Sequence, residues 1–290
     1  MIVITGATGR VGGALAHELA AHGLPFRMVV TDADRAPNLP GAEVAVARYE
    51  DAEALAKALD PGDRVFMVSM FMEPEERLAR HQSFVDVATR QRVGHVAYLS
   101  FVGAGPDATF SHARSHGKTE RMLRESGLSW CAVRNAMYGD QMSDWFDPLG
   151  RITGPGGDGR VSFSLIGELA ESIAVLLADE TEEGREVVTI ATPESISLDG
   201  LAALASDVTG DRYVYEPTER EEWIAYRRTR GRADWSIEAG FSFYDGVARG
   251  EADVVGHDYR RLTGNDPTTI RAILEQARDD LPLSGRATTG

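Results

Sequence analysis

The chain has 290 residues, 43% of them hydrophobic, which is enough to bury one large core or two smaller ones. Its formal charge of −15 opposes a phosphate backbone, so nucleic acid is excluded as the expected partner. The apolar runs are of strand length, as in Val65-Phe66-Met67-Val68, with no leader-like segment before the first, so a cytoplasmic protein without a membrane partner is expected.

In chain order, strands are predicted at 1–5, 26–30, 43–47, 64–70, 95–100, 130–134 and 187–190, alternating with segments of helical period. Between the first two strands Val11, Ala14, Leu15 and Leu19 make one apolar stripe, and Gly23 stands where a helix C-cap falls. Asp51 is placed to N-cap a helix carrying Leu55 and Leu59; a longer helix is expected over 73–92, and another over 112–126 ends at Gly127. Cys131, the single cysteine, lies in an apolar run and reads as buried.

Past Gly150 the pattern changes. Residues 152–159 read as a loop from their glycine and proline content, helices are expected over 167–179 and 198–209, and residues 218–232 are strongly charged. There Thr218 with Glu219, Glu221 and Glu222 suits a helix start, and the basic cluster Arg227, Arg228, Arg230 and Arg232 suits a solvated helix end. The last residues, 284–290, lack apolar anchors and are expected to fray. The fold class is α/β: a Rossmann-like doubly wound parallel sheet over 1–185 and a smaller, more helical C-terminal lobe over 186–290, the lobes interleaved around 150–185.

The first turn carries the strongest motif, Gly6-Ala7-Thr8-Gly9-Arg10-Val11-Gly12. After a strand and before a helix, Gly6 permits the tight exit, Gly9 lets backbone approach a pyrophosphate, and Gly12 lets the helix pack closely on the sheet. Free N–H groups and the positive end of the helix dipole favour the diphosphate. Gly6, Thr8, Gly9, Arg10, Val11 and Gly12 are the candidate cofactor cradle, with Ser69 and Met70 at the end of the fourth strand lining the same groove.

The spacing GxxGxxG resembles that of extended and atypical short-chain dehydrogenase/reductases. The helix end Thr119-Glu120-Arg121-Met122-Leu123 with Ser126-Gly127, the strand exit Arg134-Asn135-Ala136-Met137-Tyr138, and the late run Leu262-Thr263-Gly264-Asn265-Asp266-Pro267-Thr268-Thr269 resemble the NmrA-like branch and its NADPH-dependent quinone oxidoreductases of the QorB type. The resemblance implies NADPH, or NADH, as cofactor. Thr31 stands where relatives have an arginine for the 2′-phosphate; Asp32 opposes that phosphate, whereas Arg35 could reach it, so the choice stays open. Arg48 replaces the aspartate that holds adenine in many relatives, and Leu165-Ile166-Gly167-Glu168 replaces their Arg-Asp-Asp run.

Ser100 and Lys118 fit two positions of the proton relay used by classical members of the superfamily, but Arg114 occupies the place of its tyrosine. The resemblance therefore implies hydride transfer to an easily reduced acceptor, a quinone or related carbonyl or enone compound, with Ser100, His116, Lys118 and Tyr138 as candidate catalytic groups and His112 as a further proton donor. Phe71, Met72, Phe101, Trp145 and Phe146 could line a pocket for a small hydrophobic or aromatic substrate. The stripe His112, His116, Glu120 has helical spacing but lacks the glutamate after the first histidine that a zincin needs, so no metal is expected. Two other readings stay open: a dinucleotide sensor without turnover, and a pathway reductase or cyclase for a polycyclic substrate. A homodimer is compatible with all three.

Overall fold

A computed structural model describes residues 1–179 and 186–282. The first half alternates strictly: β1 (Ile2–Thr5), α1 (Arg10–Ala21), β2 (Phe26–Val30), β3 (Ala42–Val46), α2 (Ala52–Ala58), β4 (Arg64–Met67), α3 (Pro74–Gln91), β5 (His95–Phe101), α4 (Ser111–Ser126) and β6 (Ser129–Asn135). Then come the short strands β7 (Met137–Tyr138), β8 (Arg151–Gly154), β9 (Arg160–Val161) and β10 (Phe163–Ser164), followed by α5 (Ile166–Ala178) and β11 (Val187–Ile190). The remainder comprises β12 (Ile196–Ser197), α6 (Leu198–Thr209), β13 (Val214–Pro217), α7 (Arg220–Thr229), α8 (Asp234–Ala248), α9 (Asp258–Thr263) and α10 (Ile270–Gln276).

The main sheet has seven strands in the order β11-β6-β5-β4-β1-β2-β3, and every neighbouring pair is parallel. Parallel strands need crossovers, and the helices bury both faces. Leu15, Leu19 and Val11 of α1 pack with Ile173 and Leu177 of α5 on one face; Leu55, Phe84, Val85 and Leu123 of α2, α3 and α4 cover the other. Strand order reverses between β1 and β4, which opens a crevice at their carboxyl ends.

The predicted helix ends are met closely. Asp51 accepts from the Ala54 N–H, and Gly23 and Gly127 both adopt positive φ just past their helices. Cys131 is buried in the sheet. Two expectations are corrected. Residues Ile152 to Gly154 are not loop but part of β8, which pairs in parallel with β13 because Ile152 is buried in the second core and Gly154 lies against the Tyr244 ring. Thr218 does not cap α7; Glu219 is the N-cap and makes no side-chain bond there.

The two hydrophobic cores draw on interleaved stretches of the chain. Residues from Met142 to Phe163 belong to the second core with α6, α8 and α10, while α5, β11 and Tyr259 of α9 return to the first. Glu168 accepts from the Thr268 N–H at 2.7 Å, and Glu171 accepts from Tyr259 and Asn265, so α5 is tied to the late Thr-Gly-Asn run. The terminal residues 284–290 lie outside the described residues. Among the described residues no helix is long and apolar enough to cross a membrane.

Candidate cofactor and substrate site

The glycine turn sits at the crevice. Gly6 has φ +67°, and a Cβ there would stand 2.6 Å from Val68 Cγ1; one on Gly12 would collide with the Gly6 carbonyl. The backbone of β1, the turn and α1 are thus in direct contact, which only hydrogen at those positions allows. Gly9 is the N-cap of α1, is exposed and makes no side-chain cap bond, and the first turn of α1 holds no acid. Helices α2 and α6 are capped by Asp51 and Ser197, whereas α4 shares the uncapped, acid-free start of α1 but lacks its glycine turn. An uncapped, acid-free helix start pointing into the crevice fits a dinucleotide pyrophosphate.

The crevice is held open from beneath. Thr5 Oγ1 donates to the Phe66 carbonyl and accepts from the Val68 N–H, both at 2.9 Å, and the Tyr49 hydroxyl lies 2.6 Å from it. Tyr49 was not among the residues singled out from sequence, although it follows β3 at the same carboxyl edge. At the β2 exit Thr31, Asp32 and Arg35 are all exposed. The Asp32 carboxylate caps a short 3₁₀ turn by accepting from the Asp34 N–H at 3.1 Å, and Arg35 ends that turn. Arg48 is exposed at the β3 exit.

Ser69 and Met70 are half-buried past β4, and Ser69 Oγ is 3.4 Å from an Arg77 nitrogen. Arg77 leads into a buried polar cluster between α3, α4 and β5. It is 2% exposed and donates to the His112 carbonyl and to Ser115. Its Nη1 is 3.5 Å from His116 Nε2, while His116 Nδ1 is 2.8 Å from the Tyr98 hydroxyl; His81 Nδ1 lies 2.9 Å from Thr119 Oγ1. Burial, reinforced by the Arg77 charge, pushes His81 down to about 3, His112 to about 4 and His116 well below its usual value, so all three are neutral imidazoles.

The four catalytic candidates do not converge. Ser100 is fully buried and donates to Glu120 at 2.6 Å; Glu120 also holds Arg134 through two bonds at 2.9 and 2.6 Å. That hydroxyl is engaged by the Glu120–Arg134 ion pair, in which Glu120 is buried and Arg134 partly exposed. His116 is enclosed by Tyr98 and Arg77 and positions them. Lys118, two residues on, points to the opposite, exposed face of α4, so the pair cannot act together. Arg114 donates to the Ala108 and Thr109 carbonyls and so fixes the loop after β5. Tyr138 alone stands half-buried at the β6 exit; burial pushes its phenol up to about 12, with Arg10 opposing that shift.

The aromatic candidates divide. Phe146 is buried against Tyr213 in the second core, and Trp145 packs on Phe163 and Phe243. Phe101 lies beside Phe110 and His116, and Phe71 is 74% exposed. Among the described residues no group of three or more metal-ligating side chains is placed to hold a metal.

The seven-stranded order, the crevice between β1 and β4 and the uncapped α1 define a dinucleotide-binding protein of the doubly wound class. A family model described as NAD(P)H-binding matches residues 6–162. The chain belongs to that NAD(P)H-binding family. It is 27% identical to an NmrA-like family domain-containing oxidoreductase of Aspergillus flavus, over 96% of each chain. An NADPH-dependent quinone oxidoreductase of Escherichia coli, solved with NADPH, superposes with a TM-score of 0.87 at 25% identity, covering 95% of this chain and 99% of that one. A Citrobacter triphenylmethane reductase complexed with NADP(H) gives a TM-score of 0.84 at 26% identity over 96% and 100% of the two chains.

Proposed function

We propose that this protein is an NAD(P)H-dependent reductase that delivers hydride to a quinone or a related flat carbonyl or enone compound. The observation that carries the reading is Tyr138, a half-buried phenol at the β6 exit, within electrostatic reach of Arg10 at the rim of the glycine turn. Bound NAD(P)H supplies the hydride. The chain's own part is to bind and orient. Gly6, Thr8, Gly9, Arg10, Val11 and Gly12 would hold the pyrophosphate, Asp32 and Arg35 would face the adenosine ribose, and Ser69 and Met70 would line the groove.

Tyr138 stays protonated throughout the neutral range and would be the proton source for an acceptor oxygen bound at the β6 exit. With Arg114 in place of a relay tyrosine, the favoured acceptors are those that take hydride without a strong general acid, which suits quinones. The same reading makes the substrate small and aromatic, the setting cytoplasmic and a homodimer the assembly to look for. Loss of nicotinamide absorbance on mixing protein, NADPH and a simple quinone tests it. Turnover well above the protein-free control is expected; tight NADPH binding without turnover on a broad quinone and enone panel would instead favour a cofactor sensor.

A further inference from the structure

His112 is a buried imidazole with nothing to bond. It is 5% exposed, and neither Nδ1 nor Nε2 has a hydrogen-bond partner among the described residues. Its two neighbours in the cluster differ: His81 reaches Thr119 and His116 reaches Tyr98. Leaving a buried polar group unsatisfied carries its full desolvation cost, which an aromatic hydrocarbon of similar shape would avoid.

What covers His112 is built from both lobes. Phe110 stacks on it at 5.4 Å with an interplanar angle of 8°, and Trp235 of α8 at 6.2 Å and 16°. Phe71, from the segment after β4, lies 5.2 Å from the imidazole and 5.3 Å from Trp235, yet is 74% exposed. Two rings of different lobes thus meet over a histidine, at the carboxyl edge of the sheet where the cofactor groove also opens. A flat ring inserted between Phe71 and Trp235 would replace one aromatic contact by two, and an oxygen on that ring would satisfy the imidazole.

We propose that Phe71, Phe110, Trp235 and His112 form a subsite for a planar aromatic ligand bearing a carbonyl or phenolic oxygen, with His112 as the residue that selects for that oxygen. A neutral imidazole carries one N–H donor and one acceptor nitrogen, so it serves either oxygen type. The proposal deepens the reductase reading and rests on it only for calling this ligand the substrate.

The test is binding without turnover. Protein saturated with NADP⁺ is titrated with 1-naphthol and with naphthalene, read by tryptophan fluorescence, with Trp235→Phe to assign the signal. Wild type should prefer the naphthol by about tenfold, the equivalent of one hydrogen bond of about 1.4 kcal/mol. His112→Leu should erase the preference while retaining naphthalene, and His112→Gln, which keeps a donor and an acceptor, should restore most of it. An unchanged preference in His112→Leu, or no response of Trp235 to either ligand, overturns the subsite. Failure of the reductase reading is seen separately, as wild-type protein that binds both ligands yet consumes no NADPH with any quinone.

Discussion

The Tyr49 hydroxyl lies 2.6 Å from the hydroxyl of Thr5 and 3.1 Å from the Val68 carbonyl, so its single proton is shared between those two acceptors. Since Thr5 itself bonds Phe66 and Val68, one phenol locks β1 to the β4 exit at the point where strand order reverses. Tyr49→Phe removes the phenol's bonds and leaves the Val68 carbonyl with less. We expect a stability loss of about 1–2 kcal/mol, measured by urea unfolding, with NADPH affinity falling by a few-fold because the cradle it supports loosens.

Gly12→Ala and Gly13→Ala form a graded pair. A methyl on Gly12 meets the backbone of Gly6, which cannot move without opening the turn; one on Gly13 meets only the Ala7 carbonyl, at 3.3 Å. Fluorescence titration should show NADPH binding weakened more than about 100-fold in the first and less than about threefold in the second. Equal effects would place the pyrophosphate elsewhere.

The neutral histidines give a signed pH dependence. His81, His112 and His116 have folded pKa values below the ordinary 6.5, so the unfolded chain binds more protons than the folded one as pH falls below 6.5. Stability contributed by keeping them neutral is full above 6.5 and is lost as pH falls toward the folded values, by about 1.4 kcal/mol per pH unit for each histidine. In proton NMR three imidazoles should fail to titrate down to about pH 5. Their titration near 6.5 in folded protein would show that the cluster is open to water.

Ser100 and Glu120 separate structure from chemistry. Ser100→Ala breaks a bond to a buried carboxylate and should cost about 1.5–3 kcal/mol of stability. Its quinone-dependent NADPH oxidation should stay within about threefold of wild type, because the hydroxyl faces Glu120 and not the crevice. Glu120→Gln strips the counter-charge from Arg134 and should destabilise by about 3 kcal/mol or more.

How much of this was legible in the sequence depends on the range of the contacts. The glycine turn was readable because the close contact at Gly12 is local, a Cβ there meeting the backbone of Gly6, whereas the approach of Gly6 to Val68 joins two strands distant in sequence. The main sheet followed from alternation, and its strand ends shifted by only a few residues. The buried cluster was hidden because α3 looks like a solvated polar helix, although Arg77 and His81 fall on the same stripe as Phe84, Val85 and Ala88, which is the signal that could have revealed them. Their partners lie on α4, more than 30 residues away. The second lobe was least legible, since ladders of two to four residues such as β9, β12 and β13 carry too little alternation to register.

Cofactor choice turns on two exposed residues of opposite charge. The Asp32 carboxylate is already engaged by the Asp34 N–H, which holds it at the start of the 3₁₀ turn, whereas Arg35 closes that turn with its side chain in solvent. A 2′-phosphate near this turn would gain a charge-assisted bond from Arg35 and repulsion from Asp32, and an unmodified ribose would gain an acceptor in Asp32 alone. Arg35→Ala should therefore raise the NADPH KM about tenfold and leave the NADH value nearly unchanged, whereas Asp32→Ala should favour NADPH and penalise NADH. Paired KM measurements of both variants with both cofactors decide it. If Arg35→Ala alters neither KM, the arginine does not reach the ribose, and the exposed Arg48 at the β3 exit becomes the group to change next.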